Sequence, residues 1–497
     1  MMLERLLAHV KGIKKNFKDS NIESISTDSR KTKPESLFIA WKGVNTDSNQ
    51  FIEDAIEKGA KAVVGESDVF ISEDIPYLRV QNGREAYSII AQNFFGNPSE
   101  HIDLIGITGT TGKTTIAFLI YSILNDLGIK SGLIGTSGCF SGSSQMTDLL
   151  HGPVTTPEPM ELNQLFSKMV KDRCKVVIME CSSFGLEQKR LFGLDFQIGI
   201  LSNLSYNHHI NYHGGIQGYI RAKEQLFKQI KKDGIGIINR DTEYFNDFHI
   251  NNATIKTVGI QECANFKIQD FYQSEEAGIS FSIQVDETSY LITSPLSGFY
   301  QTYNLSQAFA GCLAYGLEPQ KIIKSISQIK AIPGRWHFLE TDLPFSILID
   351  KANTPIALRN ILPLLESKGY KKRILVFGNV GGGDSTERRI MAKLFFDSFH
   401  EMIITTDDPE QEDPMEGALD FLAGIQIKES SGIKIELDRK KAIQLALNKA
   451  KSGDLVAILG RGNQREFIGK DKTTEFDDIE VTKEILKELE NKLENPY

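Results

Sequence analysis

A glycine-rich loop between a predicted strand and a predicted helix constrains the fold of this chain more than any other segment. Residues 105–115 read I-G-I-T-G-T-T-G-K-T-T, with apolar residues before them and apolar residues at helical spacing after them. Gly109 and Gly112 allow the backbone to turn its N–H groups toward a phosphate, and a helix N-terminus favours the same anion. Lys113 can reach the outer phosphates, and Thr114 can ligate Mg²⁺.

This loop is a variant of the general phosphate-binding pattern. The strict pattern places a glycine five residues before Gly112, where this chain has Ile107. The alternative is a turn rich in glycine and threonine that carries a surface lysine. The strand before the loop and the helix after it favour the phosphate loop.

Length and composition exclude several classes of protein. The chain has 497 residues, which predicts about three domains. A net charge of −9 gives no support to nucleic-acid binding. Five cysteines without a C-x-x-C pair argue against a disulfide framework or a zinc site and fit a reducing cytosol. Neither a signal peptide nor an apolar run of roughly 18 residues is present, so we expect a cytoplasmic protein without a membrane span.

The order of predicted strands and helices indicates an α/β protein of three domains. Residues 1–99 form alternating units typical of a small α/β domain. Residues 100–333 carry the phosphate loop and a mostly parallel sheet. A breaker cluster at 331–335 precedes residues 334–497, where short apolar runs end in polar or glycine loops. That pattern predicts a Rossmann-like, doubly wound parallel domain.

Two further segments carry side chains suited to chemistry. The apolar run 176–179 ends in Glu180, and an acid at the carboxyl end of a parallel strand beside a phosphate loop is placed to bind Mg²⁺. A structural glutamate is the alternative. His209 and His213 could be ligands or bases, or could lie partly buried in a capped loop. Ser29 and Arg30, taken alone, indicate a helix cap with a solvated arginine rather than a ligand site.

Many of these landmarks together resemble the Mur ligases, the ATP-dependent enzymes that build the peptide of peptidoglycan. The chain looks most similar to the MurE branch, which adds the third amino acid to UDP-N-acetylmuramoyl-L-Ala-D-Glu. The matching segments follow the family's order over nearly the whole chain: D-S-R at 28–30, the phosphate loop, T-T-P at 155–157, E-x-S-S at 180–183, A-K at 222–223, P-G-R at 333–335, D-x-A-x-T-P at 350–355, D-D-P at 407–409 and F-D-D at 476–478.

The resemblance implies an amide-forming reaction that uses ATP and Mg²⁺. The γ-phosphate is transferred to a substrate carboxylate, and the incoming amine attacks the acyl phosphate and releases phosphate. Residues 1–99 would bind the UDP-sugar, 100–333 would bind ATP, and 334–497 would bind the amino acid. The implied partners are small molecules (the UDP-muramoyl dipeptide, a diamino acid and ATP), and the protein is expected to be a monomer.

The resemblance also implies a role for individual residues. The catalytic residues would be Lys113, Glu180, His209 and Lys223. ATP would be bound by Gly109, Thr110, Thr111, Gly112, Lys113, Thr114, Thr115, Asn304, Arg335 and Asp350. Metal ions would be bound by Thr114, Glu180, His209 and Lys223, with Lys223 carbamylated so that its charge is inverted. The sugar-peptide would contact Ser29, Arg30, Thr155, Thr156, Ser182, Gln188 and Arg190.

The family resemblance places the choice of the third amino acid at the loop of Asp407 and Asp408. Members that add meso-diaminopimelate resemble one another in having Asp-Asn-Pro-Arg there, and the arginine pairs with the distal carboxylate of the substrate. This chain has Glu410 at the arginine position, followed by Q-E-D. An acidic pocket would attract an ammonium group, which predicts L-lysine or another diamino acid such as ornithine. A solvated acidic loop is the alternative.

The chain departs from the family at several site segments. The family's Asp-Tyr-Ala-His-Thr-Pro reads D-K-A-N-T-P at 350–355, and its Asp-His-Leu-Asp reads H-H-I-N at 208–211, with one extra residue before it. The histidine after the two serines is Phe184, the segment before Asn304 contains F-Y-Q at 299–301, and the late loop reads G-R-G-N-Q at 460–464. Losing one charged partner costs about 2–4 kcal/mol of transition-state stabilisation. The alternatives are therefore a ligase-like paralogue for another carboxylate and amine, or a nucleotide- or UDP-sugar-binding protein with little catalysis.

Overall fold

The computed structural model describes residues 1–15, 18–43, 46–68, 74–146, 155–205, 209–250, 253–274, 278–426 and 432–494. The side chains of residues 209, 211 and 490–494 lie outside this description. The strands in these ranges form sheets of five, eleven, six and two strands. The three larger sheets follow one another along the chain, which confirms the predicted α/β fold with three domains.

The N-terminal sheet has the order β1-β5-β4-β3-β2, and its strands are parallel except for β1. The middle strands consist mostly of buried apolar residues, which suits a sheet covered on both faces. Its strands are β1 (Ile13–Lys15), β2 (Ser24–Ser26), β3 (Ser36–Ile39), β4 (Ala60–Gly65) and β5 (Tyr77–Arg79), and its helices are α1 (Leu3–Leu6), α2 (Ile52–Glu57) and α3 (Gly83–Phe94).

The central sheet has the order β16-β15-β14-β13-β12-β11-β6-β10-β7-β8-β9, and its middle from β14 to β7 is parallel. The two antiparallel edges extend this parallel middle. Its strands are β6 (Asp103–Thr108), β7 (Ser131–Gly135), β8 (Gly138–Ser141), β9 (Ser144–Gln145), β10 (Val176–Glu180), β11 (Phe196–Leu201), β12 (Ile230–Asn239), β13 (Thr254–Gly259), β14 (Phe266–Gln273), β15 (Ile279–Val285) and β16 (Thr288–Ser294).

Helix α4 follows the phosphate loop because its apolar residues recur at helical spacing. Ile116, Leu119, Ile120 and Ile123 are fully buried, and they join a core cluster that covers one face of the central sheet. The central helices are α4 (Lys113–Asp126), α5 (Pro159–Lys171), α6 (Ser183–Glu187), α7 (His209–Tyr212), α8 (Ile216–Lys228), α9 (Tyr300–Ala314) and α10 (Pro319–Gln328).

The C-terminal sheet has the order β17-β18-β22-β19-β20-β21, and only β17 is antiparallel. Because parallel strands carry their following loops at one edge, the residues after β18, β19, β20 and β22 meet there. Its strands are β17 (His337–Phe338), β18 (Ser346–Asp350), β19 (Arg373–Asn379), β20 (Glu401–Thr406), β21 (Ile433–Ile435) and β22 (Leu455–Leu459), with a hairpin of β23 (Glu466–Ile468) and β24 (Thr473–Glu475). Its helices are α11 (Pro355–Ser367), α12 (Ser385–Ser398), α13 (Pro414–Leu422), α14 (Arg439–Lys449) and α15 (Asp478–Glu494).

Four strands of the central sheet, β7, β8, β9 and β14, were not predicted from the sequence. Strand β14 carries charged residues within its apolar pattern, and its pairing with β15 shifts register between Gln269 and Tyr272. Asp270 lies in this irregularity with a φ of 55°. A bulge of this kind breaks the two-residue alternation by which a strand is recognised.

Across the described ranges, no helix has the length and apolar character needed to span a bilayer.

Candidate functional site

A large cavity lies where the phosphate loop of the central domain faces the C-terminal domain. Its volume is about 1260 Å³. It brings together most of the residues that the sequence singled out: Gly109, Thr110, Thr111, Gly112, Lys113, Thr114, Thr115, Thr155, Glu180, Ser182, Gln188, Arg190, Lys223, Asn304, Arg335, Asp350 and Glu410. Residues far apart in sequence therefore share one site.

The phosphate loop requires glycine at two positions. Gly109 has a φ of 143°, and a Cβ atom there would lie 1.9 Å from Ser202 Oγ. Gly112 has a φ of 83°, and a Cβ atom there would lie 2.6 Å from Asn304 Oδ1. Residues that carry a side chain rarely adopt such φ values. Only glycine therefore allows the loop backbone to lie this close to Ser202 and Asn304.

Asn203 fixes the outer half of the same loop. The Thr110 N–H donates to the Asn203 carbonyl oxygen at 3.0 Å, and the Thr111 N–H donates to Asn203 Oδ1, also at 3.0 Å. These two N–H groups already have protein partners. The first-turn N–H groups of α4 have none within the helix, so they are the donors best suited to phosphate oxygens.

Glu180 lies at the end of β10 and is 1% exposed. Its Oε2 accepts a hydrogen bond from the Thr114 hydroxyl at 3.0 Å, and its Oε1 accepts one from the Thr136 N–H at 2.8 Å. A carboxylate and a hydroxyl thus converge beside the phosphate loop. Among the described residues, no group of three or more His, Cys, Asp or Glu side chains could hold a metal. The donor set fits Mg²⁺, which uses one or two protein ligands together with phosphate oxygens and water.

Two lysine side chains converge on one carbonyl group of the loop. Lys113 Nζ donates to the Gly109 carbonyl oxygen at 2.9 Å and to the Thr110 carbonyl oxygen at 3.2 Å. Lys223 Nζ, which is buried, donates to the same Gly109 oxygen at 2.9 Å and lies 4.2 Å from the ring centre of Tyr219. Burial lowers the pKa of Lys113, and it lowers the pKa of Lys223 well below its usual value. Both amines are therefore held in a site that disfavours their charge.

Arg335 connects the C-terminal domain to the phosphate loop. Its Nη2 donates to the Thr114 hydroxyl oxygen at 3.2 Å. Asp350 accepts hydrogen bonds from the Trp336 N–H at 2.5 Å and from the Ala352 N–H at 2.7 Å. Burial raises the pKa of Asp350, and the nearby Arg335 guanidinium opposes this rise. These contacts place an arginine and a carboxylate at the phosphate-loop end of the cavity.

The residues predicted to contact the sugar-peptide fall into two groups. Ser182, Gln188 and Arg190 line the cavity. Thr156 is fully buried, and its hydroxyl donates to the Glu180 carbonyl oxygen at 2.9 Å, so this side chain supports the end of β10. Arg190 donates to the Thr156 carbonyl oxygen at 2.7 Å, which orients the guanidinium at the cavity wall.

Ser29 and Arg30 are not brought to this cavity. Asp28 accepts a hydrogen bond from the Arg30 N–H at 3.0 Å and caps the short 3-10 turn Ser29–Lys31. The Arg30 guanidinium also pairs with Asp28 at 2.9 Å, and its side chain is 84% exposed. Ser29 is buried. The residues alone indicated a solvated arginine at a cap, and the structure has that arrangement with Asp28 as the capping residue.

Asp407 and Asp408, which the family resemblance assigns to recognition of the third amino acid, are buried against Arg461 and do not line the cavity. The two aspartates are 2% and 3% exposed, and Arg461 is fully buried. Arg461 Nη1 bonds to Asp407 Oδ1, and it bonds to Asp408 Oδ1 at 2.6 Å. Two carboxylates thus share one buried guanidinium and are closed off from a ligand by that contact, because buried charges are stable only when paired.

Glu410 is the residue of this loop that lines the cavity. It has a φ of 52°, and its N–H donates to the Ile468 carbonyl oxygen at 3.1 Å, which turns the loop at this point. Among the described residues, its carboxylate has no hydrogen-bond or ion-pair partner. The neighbouring Glu412 instead pairs with Arg388 at 2.5 Å. The free acidic charge of the predicted pocket is therefore that of Glu410.

The histidine segment is only partly described. His208 and the side chain of His209 lie outside the described residues, so the predicted metal role of His209 stays a prediction. His213 is buried, with Nδ1 2.5 Å from Glu187 Oε2. Its ring packs beside those of Phe184, Tyr212 and Tyr219. His213 therefore corresponds to the alternative of a buried ring in a capped loop.

Three residues at the site were missed by the sequence interpretation. Thr136 follows β7 and holds Glu180, and Asn203 follows β11 and holds the phosphate loop. Lys351 follows β18 and lines the cavity. Each lies just after a parallel strand, the same signal that singled out Glu180, although the strand before Thr136 was not itself predicted from the sequence.

Comparison with known proteins assigns all three parts of the chain to one family. Residues 21–95 match the Mur ligase family catalytic domain, residues 107–312 match the Mur ligase middle domain, and residues 334–462 match the Mur ligase glutamate ligase domain. The matched segments coincide with the three large sheets and include the phosphate loop, Glu180, Lys223, Arg335 and Asp350.

Relatives of nearly equal length support the same assignment. The chain is 34% identical over 490 residues to a UDP-N-acetylmuramoyl-L-alanyl-D-glutamate--2,6-diaminopimelate ligase of Caldanaerobacter subterraneus, covering 98% of this chain and 100% of the relative. It is 36% identical over 485 residues to the enzyme of the same name from Clostridium perfringens, covering 95% and 96%. A solved structure of a ligase of that name aligns with a TM-score of 0.63 at 27% identity, covering 94% of this chain and 95% of the other. Three matched domains in order, with their strand-end residues gathered at one cavity, place this chain in the Mur ligase family, within its MurE-like branch.

Proposed function

We propose that the chain is an ATP-dependent ligase that adds an amino acid to UDP-N-acetylmuramoyl-L-Ala-D-Glu in peptidoglycan precursor synthesis. The observation that carries this proposal is the convergence of Lys113, Thr114 and Glu180 at the phosphate loop with Arg335 from the C-terminal domain. The relatives that match over nearly their whole length have names that state this acceptor. Small-molecule substrates, a monomeric state and a cytoplasmic location remain predictions.

The proposed reaction proceeds in two steps. The substrate carboxylate oxygen forms a bond to the γ-phosphorus of ATP, and ADP leaves. The incoming amine then attacks the acyl carbon, phosphate leaves, and the nitrogen loses a proton. Chemistry of this kind depends on positioning and charge neutralisation rather than on a protein nucleophile.

The chain's own residues supply that positioning. Lys113 and the first-turn N–H groups of α4 bind the outer phosphates, and Arg335 contacts them from the C-terminal domain. Glu180 and Thr114 would hold Mg²⁺, which when bound neutralises charge on the phosphates. We assign Asn304 and Asp350 to the base and ribose side of the nucleotide. We assign Thr155, Ser182, Gln188 and Arg190 to the sugar-peptide, and residues 1–99 to the UDP end.

We also propose that Lys223 carries a carbamate. A neutral amine forms a bond from nitrogen to the carbon of CO₂ and releases one proton, which leaves a negative group able to bind a second Mg²⁺. Two observations support this: Lys223 is buried, and its pKa lies well below the usual value, so the neutral amine is accessible. The protein prepared with ¹³C-bicarbonate is expected to show a carbamate resonance that Lys223→Met lacks. Equal spectra for the two proteins would contradict the proposal.

We propose that the added amino acid has a distal amine without a distal carboxylate, as in L-lysine or ornithine. Glu410 lines the cavity, and its carboxylate has no partner among the described residues. The cavity-lining arginine on the neighbouring helix, Arg388, is held by Glu412 at 2.5 Å and by Asp420. An ammonium group therefore meets a free carboxylate, whereas a second carboxylate on the substrate would be repelled. The relatives named above are instead named for 2,6-diaminopimelate.

The test is phosphate release from ATP with UDP-N-acetylmuramoyl-L-Ala-D-Glu and, separately, L-lysine, ornithine or meso-diaminopimelate, with mass spectrometry of the products. Lysine- or ornithine-dependent release with the matching tripeptide supports both the activity and the amino acid. A diaminopimelate product supports the ligase and contradicts the role of Glu410. Lys113→Ala is the control and is expected to abolish turnover.

A nucleotide-binding protein with little ligation is the second candidate, and the departures at Phe184 and Asn353 favour it. It predicts ATP binding without an amide product for any of the three amino acids. A wider panel of amines, and of carboxylate substrates that lack UDP, then distinguishes the two remaining cases. An amide product with any pair indicates a ligase for other substrates, and no product with any pair supports the nucleotide-binding protein.

A further inference from the structure

Lys351 lines the cavity and interacts electrostatically with groups of both the phosphate-loop side and the amino-acid loop. It directly follows β18 and lines the cavity, and its N–H donates to the Gly334 carbonyl oxygen at 3.1 Å. A Cβ atom on Gly462 would lie 2.9 Å from the Lys351 Cβ, so the loop after β22 packs against the base of this side chain. Its backbone is therefore fixed by two neighbouring loops.

The amine of Lys351 differs from the other cations that line this cavity. Each of the others has at least one protein partner: Lys113 and Lys223 bond to Gly109, Arg190 to Thr156, Arg335 to Thr114, and Arg388 to Glu412. Among the described residues, the Lys351 amine has neither a hydrogen bond nor an ion pair. A cation that lines a cavity without a protein partner is available to an anionic ligand.

The charged groups that act on Lys351 are of both signs. Arg335 and Glu180 act on it from the nucleotide side, and Asp407 and Arg461 act on it from the side of the amino-acid loop. These groups are two cations and two anions, so neither sign predominates among them in number. Burial lowers the pKa of Lys351 to about 8, so the amine is still mostly protonated at neutral pH. Functional sites often contain an ammonium group whose charged form is destabilised by burial in this way.

We infer that Lys351 is a catalytic cation that contacts the phosphoryl group during its transfer from ATP to the substrate carboxylate. The inference rests on the proposed ligase function and adds a residue to it. As the carboxylate oxygen bonds to the γ-phosphorus and the bond to the bridging oxygen breaks, the Lys351 ammonium donates hydrogen bonds to the phosphoryl oxygens. It gains and loses no proton in this step. Lys351 interacts electrostatically with Glu180 beside the phosphate loop and with Asp407 in the amino-acid loop. This position fits a contact with a phosphoryl group that is transferred from ATP to the substrate carboxylate.

The test uses ADP, Mg²⁺ and aluminium fluoride, a mimic of the transferring phosphoryl group that needs neither the UDP-substrate nor an amine. Affinity is measured by calorimetry for the wild type and for Lys351→Met, Lys351→Arg and Lys393→Met, the last an exposed lysine on α12. We expect Lys351→Met to weaken binding of the mimic about tenfold or more, with ADP alone changed less than about twofold. Lys351→Arg is expected to retain most of the affinity, and Lys393→Met all of it.

Three outcomes would overturn the inference. Equal affinity of wild type and Lys351→Met for the mimic would remove the phosphoryl contact. An equal loss of affinity for the mimic in Lys351→Met and Lys351→Arg would indicate that the positive charge of Lys351 does not determine binding. In turnover, a rise in KM for the amino acid with unchanged kcat would assign Lys351 to the amino-acid carboxylate. A wild type that forms no amide but binds the mimic in a Lys351-dependent way would contradict the ligase proposal and leave the phosphoryl contact standing.

Discussion

The Thr114 hydroxyl donates a hydrogen bond of 3.0 Å to Glu180 Oε2, and this contact joins the first turn of helix α4 to the end of strand β10. The two residues are 66 positions apart in sequence. Strands β6 and β10 are adjacent and parallel, so their following loops open at the same edge of the sheet. The contact therefore places a carboxylate beside the phosphate loop, at the position proposed for Mg²⁺.

Removing the charge of Glu180 should separate metal binding from folding. Glu180→Gln keeps an oxygen that can accept from the Thr136 N–H, but it has no negative charge for Mg²⁺. We expect kcat to fall about 10²–10³-fold and the Mg²⁺ requirement to rise, with the thermal transition nearly unchanged. Phosphate release measured over a Mg²⁺ titration tests this. A variant with the wild-type Mg²⁺ dependence would show that Glu180 is structural.

Removing Arg461 should destabilise the C-terminal domain, because it leaves the buried Asp407 and Asp408 without the guanidinium that pairs with both. We expect Arg461→Met to lower the free energy of unfolding by about 3–5 kcal/mol in urea denaturation. Adding Asp407→Asn and Asp408→Asn to this variant should restore part of the loss. Arg389→Met is the matched control, since Arg389 is 55% exposed and its ion pair with Asp420 is expected to contribute less than about 1 kcal/mol.

Reversing the charge of Glu410 should change the choice of amino acid. Glu410→Arg places a cation where the cavity has a free carboxylate, so the ratio of kcat/KM for meso-diaminopimelate to that for L-lysine should rise about tenfold or more. Steady-state phosphate release with each amino acid measures the ratio. Glu416→Arg, an exposed change on α13, should leave it unaltered. An unchanged ratio in Glu410→Arg would place the recognition of the side chain elsewhere.

Replacing Lys351 should stabilise the fold in a pH-dependent way. The pKa of Lys351 is about 8 in the folded protein and about 10.5 when exposed. Between these two pH values the unfolded chain binds more protons than the folded protein, so the contribution of this group to the free energy of unfolding of the wild type rises with pH. Below pH 8 both states are protonated and the unfavourable contribution is constant. Lys351→Met should therefore be more stable at pH 7, by on the order of 1–2 kcal/mol, and this gain should shrink toward pH 10.5.

Urea denaturation at pH 7, 8.5 and 10 measures this dependence, with Lys393→Met as the control that should follow the wild type. A gain that does not vary with pH would indicate that side-chain packing, rather than the charge of Lys351, sets the difference. A loss of stability at neutral pH would contradict the assignment of Lys351 as a costly cation.

Much of the site could be predicted from local sequence, because its chemistry depends on residues at the ends of short strands. The phosphate loop, Glu180 and Asp350 each follow an apolar run, and the structure places all three at one cavity. Thr136 was missed because the strand before it was not predicted, whereas Asn203 and Lys351 follow predicted strands but were not singled out. Ser29 and Arg30 were assigned to substrate by resemblance alone, and their local pairing with Asp28 agrees with the interpretation made from the residues.

The sequence by itself determined the α/β fold, the order of the three domains and the identity of the phosphate loop, because these depend on periodicity and on glycines at set spacing. Only the tertiary structure decided which acidic groups are free. Asp407, Asp408, Glu410 and Glu412 look alike in the sequence, yet Arg461 pairs with the first two and Arg388 pairs with Glu412. Glu410 alone of the four lines the cavity without a partner among the described residues. The charge of a buried carboxylate depends on partners that are distant in the chain, and those partners are set by the packing of strands and loops rather than by neighbouring residues.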